Sequence, residues 1–355
     1  MKIIQVIPSF TFGGAEIMCE NLIYELRKNN HVIAISLYDE RTPISQRLED
    51  VGVDVRYLGK KKGLDFSMIK KLRKIFKSER PDVVHTHLAV MKYVIPALAM
   101  LGVKKKVHTI HNVADKESVG FEKIVNRCFF KCCGVVPVAL SELVRDSIVK
   151  EYSIKEERVP IILNGVNLTK CKPKEDYSIN EVFKIIHVGR FSEQKNHIGL
   201  LKAFNIFHKE CGKSQLWLLG DGEKRPEIEA FVKENGLEES VKLWGIKSSV
   251  HEYLNEADIF TLPSNYEGVP LTLIEAMGTG LPIVATAVGG IPDMVENERS
   301  AILTELNETK IAEAFFTLFN DQEKRKILGQ NAKNESHKFS AKTMAEKYYE
   351  IYNRI

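Results

Sequence analysis

Two glutamates, Glu267 and Glu275, lie in the most informative stretch of the sequence, with seven residues between them. A β-branched run ends at Leu262, a Glu-Gly loop follows, and Pro270 stands where the first turn of a helix favours proline. The start of such a helix presents free N–H groups and the positive end of its dipole, which together suit a phosphate. Glu275 shares a face of this helix with Thr272. The stretch therefore predicts a site for a phosphorylated ligand.

The two carboxylates could act as a general acid and a general base. A carboxylate close to a phosphate would repel it, so the position at a helix start favours recognition instead. Glu275 would accept hydrogen bonds from ligand hydroxyls, and Glu267 would meet the next portion of the same ligand. The structural alternative is that Glu275 only supports its helix and Glu267 is a surface loop residue.

Two cations follow another predicted strand. Arg190 comes two residues after the strand end at Val188, and Lys195 precedes a helix that begins at His197. Both would lie in loops at the carboxyl edge of a sheet, where they could neutralise a diphosphate and stabilise it as a leaving group. Each alone would be an ordinary surface charge. Together with the acidic loop they favour a ligand site.

The elements that position these residues alternate along the chain. Short β-branched runs and amphipathic segments follow one another to beyond residue 300, a pattern that predicts parallel sheets with crossover helices. Two such sheets in series bind ligands at the carboxyl ends of their strands, so facing domains would form a cleft. The predicted strands are residues 3–8, 31–37, 53–58, 83–86, 106–110, 135–139 and 159–162, then 183–188, 215–219, 241–244, 258–262 and 282–286, before a purely helical end with segments at 309–320, 322–338 and 341–352.

The glycine-rich loops do not match a dinucleotide site. Residues 9–14 and 220–225 follow predicted strands, but Arg225 stands where the third glycine of G-x-G-x-x-G would pack against the sheet. The P-loop signature is absent from the sequence as well. These observations argue against a nicotinamide or flavin enzyme and against the common kinases and NTPases.

Composition is that of a globular protein with an uneven charge distribution. The 355 residues are 44% hydrophobic and 28% charged, and six cysteines at irregular spacing predict reduced thiols. The net charge is +4, but residues 1–166 alone hold 27 Lys and Arg against 19 Asp and Glu. With no signal peptide and no apolar stretch of spanning length, we expect a soluble cytoplasmic protein. The basic residues of its first half either form a solvated surface or make a peripheral contact with the inner face of the cell membrane.

Several short motifs follow one another along the chain. They are Gly13-Gly14-Ala15-Glu16, His85-Thr86-His87, His108 to Asn112, Asn164-Gly165-Val166, Gly189 to Lys195, Gly220-Asp221-Gly222, and the stretch from Glu267 to Glu275. In this order they resemble the group 1, family 4-type retaining glycosyltransferases of GT-B fold, over essentially the whole chain. The resemblance implies an α/β protein of two Rossmann-like, doubly wound parallel-sheet domains that face a cleft, with C-terminal helices.

The resemblance and the strand pattern together divide the chain. We expect an N-terminal acceptor-binding domain at residues 1–166 and a polar linker at 167–181. A nucleotide-sugar-binding domain would follow at 182–338. The helix at 339–355 would cross back to the N-terminal domain.

The resemblance also implies roles for single residues. Arg190 and Lys195 would bind the donor diphosphate, and Glu275 would bind the ribose. Glu267 would contact the transferred sugar, as would His111, which matches the active-site histidine of the family; His85, His87 and His108 are expected to be structural. The catalytic set is thus His111, Arg190, Lys195 and Glu267. Two further donor contacts are Gly14, where a missing Cβ would admit the phosphates, and Ile246, near the base. The others form the helix start, at Gly268, Val269, Pro270, Leu271 and Thr272.

The implied reaction moves a sugar from a nucleoside diphosphate sugar, with UDP favoured, to an acceptor hydroxyl with retention of configuration. The leaving diphosphate would take the acceptor proton on the front face, although a double displacement through Glu267 stays open. No Asp-x-Asp occurs in the chain, so the donor site is expected to need no metal or other cofactor.

The expected acceptor is lipid-linked or an oligosaccharide, as in bacterial capsule, other surface polysaccharide or glycolipid synthesis, and it would lie near residues 113–121. No nucleic-acid partner is expected. Two alternatives are kept. One is a GT-B nucleotide-sugar epimerase, which would use the donor alone, and the other is a non-catalytic sugar-binding protein.

Overall fold

The computed structural model describes residues 1–11, 13–114, 120–247 and 249–355. These residues form two compact units. The first unit comprises Met1–Val166 together with Ala341–Ile355, and the second comprises Asn167–Ser340.

The first unit is built on a six-stranded sheet in the order β3-β2-β1-β4-β5-β6, in which neighbouring strands are parallel. The chain order reverses between β1 and β4, so the loops that follow these two strands diverge there. The strands are β1 Lys2–Ile7, β2 His31–Ser36, β3 Asp54–Tyr57, β4 Val83–His87, β5 Lys105–Ile110 and β6 Val135–Ala139, and the helices between them include α1 Gly14–Leu26, α2 Pro43–Asp50, α3 Ser67–Glu79, α4 Met91–Leu98, α5 Phe121–Cys132 and α6 Glu142–Tyr152.

The second unit repeats this plan with the strand order β12-β11-β10-β7-β8-β9, again parallel. Its chain order reverses between β7 and β10. The strands are β7 Phe183–Val188, β8 Ser214–Leu219, β9 Val241–Gly245, β10 Ile259–Leu262, β11 Ile283–Thr286 and β12 Ile302–Thr304, with helices α7 His197–Cys211, α8 Arg225–Glu234, α9 Val250–Glu256, α10 Leu271–Thr279, α11 Glu308–Asn320 and α12 Gln322–Ser336.

The last helix, α13 (Ala341–Arg354), returns to the first unit. Its Met344, Tyr348 and Tyr352 lie at helical spacing and are buried in the same apolar cluster as residues of α1 and β1. Removing such side chains from water stabilises the helix against the sheet by about 2 kcal/mol each. The periodicity of the sequence predicts this apolar stripe, and burial of the stripe holds the helix against the first unit.

The predicted strands agree with the structure to within one residue at each end, apart from the segment at residues 159–162, where the prediction is wrong. Ile161 forms only an isolated bridge with Ala139 beside β6. Pro160 accepts a hydrogen bond from Ala139 N–H at 3.0 Å but has no N–H of its own to continue a ladder. A β-branched run interrupted by proline therefore ends as a single bridge.

Residues 167–181 contain one short 3₁₀ turn, at Leu168–Lys170, and otherwise run without regular structure along the second unit. Lys174 N–H donates to Thr279 O at 2.8 Å, and the buried Tyr177 hydroxyl donates to Gly280 O at 2.8 Å. The segment is thereby held against the end of α10. Among the helices described, none is long and apolar enough to cross a membrane.

Candidate functional site

Apart from Ile246, the donor residues that the sequence predicts in the second unit lie where its chain order reverses. The loop after β7 carries Arg190 and Lys195, and the loop after the adjacent strand β10 carries Glu267. Loops that diverge at such a point leave a crevice at the carboxyl edge of the sheet, which is where α/β proteins bind ligands.

These two loops are joined by hydrogen bonds. Asn265 N–H donates to Gln194 O at 2.8 Å, its side-chain amide donates to Glu193 O at 2.7 Å, and Asn196 Nδ2 donates to Pro263 O at 3.1 Å. Asn196 has a φ of +51° and its side chain also caps α7, a conformation that asparagine tolerates better than most residues. The loops therefore hold each other in one arrangement.

An ion pair lies at the centre of the joined loops. Lys195 Nζ is 2.5 Å from Glu267 Oε1, and the two side chains are only 14% and 5% exposed. Ser264 Oγ donates to the same carboxylate oxygen at 2.6 Å, while Gln194 Nε2 lies 3.3 Å from the other oxygen. With these partners the buried carboxylate has the compensation that a buried charge requires. The ammonium group of Lys195 is thus held in place by Glu267.

Two neutral histidines pack beneath Lys195. His187 Nδ1 lies 2.9 Å from Thr261 O, and its ring meets that of His197 edge to face at 4.7 Å. Burial, with Lys195 nearby, lowers the pKa of His187 to about 4 and that of His197 to about 2. Both rings are therefore uncharged at neutral pH and add no positive charge beneath the lysine.

Arg190 takes a different partner from Lys195. Its guanidinium donates to Glu223 Oε2 at 3.1 Å, and its side chain is 75% exposed. Two glycines let the loop after β8 pack directly on the backbone beside Arg190. A Cβ on Gly220 would lie 2.0 Å from Gly189 O, and one on Gly222 would lie 2.4 Å from Phe191 O. The Gly-Asp-Gly motif is explained by this close approach of two backbones.

A second pair of glycines supports Glu267. Gly289 and Gly290 follow β11, and Gly290 N–H donates to Glu267 O at 3.2 Å. A Cβ on Gly289 would lie 1.8 Å from Glu267 O, and one on Gly290 would lie 2.2 Å from Gly268 O. Gly289 also has a φ of +54°. Only glycine fits at these positions without displacing the Glu-Gly loop.

The helix start predicted from Pro270 is present, since α10 begins at Leu271 with Pro270 as its N-cap. The first intrahelical hydrogen bonds to Pro270 O come from Leu273 and Ile274, so the N–H groups of Leu271 and Thr272 precede them. Thr272 Oγ1 is buried and has no hydrogen-bond partner among the described residues. A buried hydroxyl without a partner is costly unless a ligand satisfies it.

Glu275 lies one turn further along α10 in a confined environment. His251 Nε2 is 3.9 Å from its Oε1, and only 16% of its side chain is exposed. Burial raises the pKa of Glu275 to about 7, and Lys170 opposes this shift. Cys171 lies 3.7 Å from both His251 Nδ1 and Glu275 O, and burial raises the pKa of its thiol to about 12. The thiol is therefore protonated, and the carboxyl group is the polar feature a ligand could use.

The remaining predicted site residues follow strands or, for Gly14, begin a helix. Ile246 follows β9 and is 62% exposed. In the first unit Gly14 begins α1, and no described atom lies within 4 Å of where its Cβ would be. His111 follows β5, and its Nε2 is 3.1 Å from His87 Nδ1. Within the described residues no cluster of three or more His, Cys, Asp or Glu side chains could hold a metal ion. The loop expected near the acceptor, residues 113–121, falls largely outside the described residues.

Two family models match successive parts of the chain. The family described as Glycosyltransferase Family 4 matches residues 12–170, and the family described as Glycosyl transferases group 1 matches residues 172–335. The chain belongs to the group 1, family 4 glycosyltransferases.

Relatives of this glycosyltransferase include an N-acetyl-alpha-D-glucosaminyl L-malate synthase of Bacillus anthracis, 28% identical over 81% of this chain and 78% of the relative. A UDP-Gal:alpha-D-GlcNAc-diphosphoundecaprenol alpha-1,3-galactosyltransferase of Escherichia coli is 28% identical over 76% of this chain and 74% of the relative. Anabaena HepE, solved in complex with UDP-glucose, superposes with a TM-score of 0.85 over all of both chains at 19% identity. This last likeness establishes a common GT-B fold.

The glycosyltransferase brings some of the predicted residues together and separates others. Lys195 and Glu267 form one ion pair, although the sequence suggests separate roles for them. Arg190 instead pairs with Glu223. The sequence did not predict the supporting contacts. A Gly-Gly pair two residues after a strand was the available signal for Gly289 and Gly290, and Gln194 lies inside the Gly189 to Lys195 motif. The contacts of Ser264, His187, His251 and Cys171 had no such signal.

Proposed function

We propose that this glycosyltransferase transfers a hexosyl group from a UDP-sugar to an acceptor hydroxyl with retention of anomeric configuration. The observation that carries the proposal is the grouping at the reversal point of the second sheet. Within two adjacent loops and one helix start it offers a held ammonium group, the backbone N–H groups of the first turn of α10, a hydroxyl with no hydrogen-bond partner among the described residues, and a nearly buried carboxyl group. A sugar nucleotide has a matching set of phosphates and hydroxyls.

Each part of the donor then has a recognition group. The α10 start, from Gly268 through Val269, Pro270 and Leu271 to Thr272, would receive the diphosphate, where the helix dipole favours negative charge. Glu275 would accept hydrogen bonds from the ribose hydroxyls. Ile246 would lie by the uracil base, and Glu267 would contact the transferred sugar. The UDP-containing names and complexes of the relatives support UDP over other nucleotides.

The chemistry of the leaving group rests on cations. As the glycosidic bond to phosphate breaks, negative charge grows on the diphosphate, and Lys195 with Arg190 would stabilise it. Because Glu267 already holds the Lys195 ammonium group, little reorganisation is needed when that charge develops. The acceptor oxygen would bond to the anomeric carbon on the face from which the diphosphate departs, while the leaving phosphate takes the acceptor proton. Bond formation on the same face gives retention. Gly14 and His111 are the contributions we propose from the first unit.

A lipid-linked acceptor fits the first unit. The Escherichia coli relative is a galactosyltransferase whose acceptor is an alpha-D-GlcNAc-diphosphoundecaprenol. The first unit also exposes Leu64 and Phe66, at 69% and 71%, immediately after Lys61 and Lys62. We propose that this segment contacts an anionic membrane at its cytoplasmic face, during synthesis of a surface polysaccharide or glycolipid.

The donor assignment is tested by thermal shift with UDP-, GDP- and ADP-sugars beside the free nucleotides. We expect the largest stabilisation from a UDP-sugar, beyond that from UDP. Equal shifts for the sugar and the free nucleotide would contradict the role given to Glu267. In kinetics, Glu275→Ala should mainly raise KM for the donor, while Lys195→Ala should mainly lower kcat.

The kind of reaction is tested by incubation with the donor alone. A transferase leaves the UDP-sugar nearly unchanged until an acceptor is added, and then releases UDP together with a glycosylated acceptor. Conversion of the donor into an isomeric UDP-sugar without acceptor would identify an epimerase instead. Donor binding with neither outcome, across a panel of acceptors, would favour a sugar-binding protein.

A further inference from the structure

A continuous chain of buried polar side chains runs through the first unit and ends at His111. Apart from His111, each member is fully buried. The chain begins at Tyr348 Oη, which lies 2.7 Å from Thr109 Oγ1, and Thr109 Oγ1 lies 2.8 Å from His85 Nε2. His85 Nδ1 lies 2.7 Å from Tyr352 Oη, which lies 3.3 Å from Gln5 Nε2. Gln5 Oε1 lies 2.9 Å from His87 Nε2, and His87 Nδ1 lies 3.1 Å from His111 Nε2.

The sheet brings these residues together. Gln5 of β1 lies opposite His85 of β4, and His87 of β4 lies opposite Thr109 of β5. His85 and His87 are two residues apart on one strand, so they share a face of the sheet. The last helix, α13, packs on that face and adds two tyrosines one turn apart. The chain therefore joins the carboxyl-terminal helix to the residue after β5.

The Gln5 amide gives this chain a direction. Its Nε2 can only donate, and it donates to Tyr352 Oη. Its Oε1 can only accept, so His87 Nε2 must carry the proton that it accepts. Burial, with neighbouring histidine rings, lowers the pKa of His87 well below its usual range, so the ring is neutral and its Nδ1 is an acceptor. His111 Nε2 must therefore be the donor in the last bond.

Tyr352 lies on the Nε2 side of the Gln5 amide and links it to His85. Its hydroxyl accepts from Gln5, and its own proton has His85 Nδ1 as acceptor at 2.7 Å. Burial also lowers the pKa of His85 well below its usual range, so this ring is neutral and donates from Nε2 to Thr109. Turning the Gln5 amide over would reverse the donor in every bond. With the Gln5 amide in this orientation, Tyr352 on α13 joins His85 to a hydrogen-bonded chain whose proton positions are fixed as far as His111.

We propose that Gln5, His87 and Tyr352 are positioning residues that fix which ring nitrogen of His111 carries a proton. In a neutral histidine the two nitrogens have opposite character, so a donor at Nε2 makes Nδ1 an acceptor. The last helix thereby determines the hydrogen bond that His111 offers during transfer. This inference rests on the proposed role of His111 in the reaction. It gives His87, expected from the sequence to be structural, a part in preparing the site.

The protonation pattern is measured by NMR of the full chain with ¹⁵N-labelled histidine rings, with the His111 signals assigned by their loss in His111→Gln. We expect a protonated Nε2 in the wild type and a changed or averaged pattern in Tyr352→Phe. The matched control is Tyr93→Phe, which removes another buried hydroxyl of the same unit, one that accepts from Asp65 N–H at 3.2 Å. The control should leave the His111 signals unchanged. Unchanged signals in Tyr352→Phe would overturn the inference.

Kinetics give a second readout. Tyr352→Phe should lower kcat about tenfold, the order of one net hydrogen bond, with KM for the donor unchanged. His87→Asn keeps an acceptor close to the position of Nδ1, so it should retain more activity than His87→Leu. If both His87 variants lose the same amount of activity, in proportion to their loss of thermal stability, then His87 has a purely structural role and the inference is overturned.

The two proposals fail in different ways. If His111→Ala is inactive while Tyr352→Phe keeps the wild-type ring signals and kcat, the positioning chain is wrong and the proposed function stands. If His111→Ala is fully active, the role of His111 in transfer is wrong, and with it the positioning inference, even where the ring signals respond to Tyr352→Phe.

Discussion

Glu275 has acid–base behaviour that distinguishes it from an ordinary surface glutamate. Its pKa rises from 4.5 to about 7 because it is buried on α10. Between these pH values the unfolded chain loses the proton first, so the free energy of unfolding falls as the pH rises through this window, by roughly 3 kcal/mol. We expect Glu275→Gln to remove this loss. Urea unfolding at pH 5 and pH 8 should show that the free energy of unfolding of the variant, relative to that of the wild type, is larger at pH 8.

The matched control for this measurement is Glu239→Gln, a change at an exposed position of the same unit. It should follow the wild type at both pH values. Parallel curves for wild type and Glu275→Gln would show that the carboxyl group is no harder to ionise in the folded state than in the unfolded chain.

The Lys195–Glu267 pair predicts a separation of stability from activity. Lys195→Ala leaves the Glu267 carboxylate buried without its cation, which should cost about 3 kcal/mol of folding free energy as well as turnover. Adding Glu267→Gln removes the uncompensated charge, so the double variant should recover most of the stability but none of the turnover. Thermal unfolding and kcat for both variants measure this. If the double variant recovers kcat together with its stability, Lys195 has only a structural role.

The types of these residues could be predicted, but their contact could not. A cation after one strand and a carboxylate after another both indicate a ligand site. Their pairing spans 72 residues of sequence and depends on β7 and β10 being neighbours, which no local pattern reports. The same holds for His87 and His111, which meet only because β4 and β5 are adjacent. Residue types thus predict a candidate site, and the strand order decides which of its residues form contacts.

At the scale of elements, the loop after β11 supports the Glu-Gly loop after β10. Gly289→Ala would force a Cβ against Glu267 O, so we expect a loss of more than about 2 kcal/mol in stability and weaker donor binding. Gly236→Ala is the matched control, because Gly236 also has a positive φ, of +66°, but an added Cβ there meets no atom of another described residue within 4 Å. It should cost only about 1 kcal/mol and leave binding intact.

Isothermal titration with a UDP-sugar and thermal unfolding of both glycine variants separate these effects. If Gly236→Ala and Gly289→Ala behave alike, backbone conformation alone explains the glycine at 289. The support given to Glu267 would then not depend on this contact.

Elements were the part of the fold that sequence predicted best, because each strand and helix is encoded locally by its apolar period. The failure at residues 159–162 is informative in this respect. Its β-branched residues satisfy a strand pattern, yet Pro160 removes a donor, and only one bridge forms. The last helix was predicted from its apolar stripe, but the polar tips of Tyr348 and Tyr352 gave no sign of the hydrogen-bonded chain they complete.

At the scale of the whole molecule, the net positive charge lies in the first 166 residues, which hold 27 Lys and Arg against 19 Asp and Glu. On α3 the residues Met68, Leu72 and Phe76 are buried, while Lys70, Lys74 and Lys77 are exposed. The exposed Leu64 and Phe66 directly precede this helix. Apolar side chains next to lysines are the combination that favours an anionic lipid surface, because burial and charge attraction add.

Flotation with vesicles therefore tests the membrane proposal. We expect binding to vesicles that contain anionic phosphatidylglycerol, little binding to phosphatidylcholine alone, and release by salt, since each lysine near the surface contributes about 1 kcal/mol. Leu64→Ser with Phe66→Ser should weaken binding strongly, because each side chain loses roughly 2 kcal/mol of burial. The matched control is Ile327→Ser, which removes an apolar side chain, 53% exposed, from the second unit. If binding does not depend on lipid charge, or if the double variant still binds, then this surface does not contact the membrane as proposed.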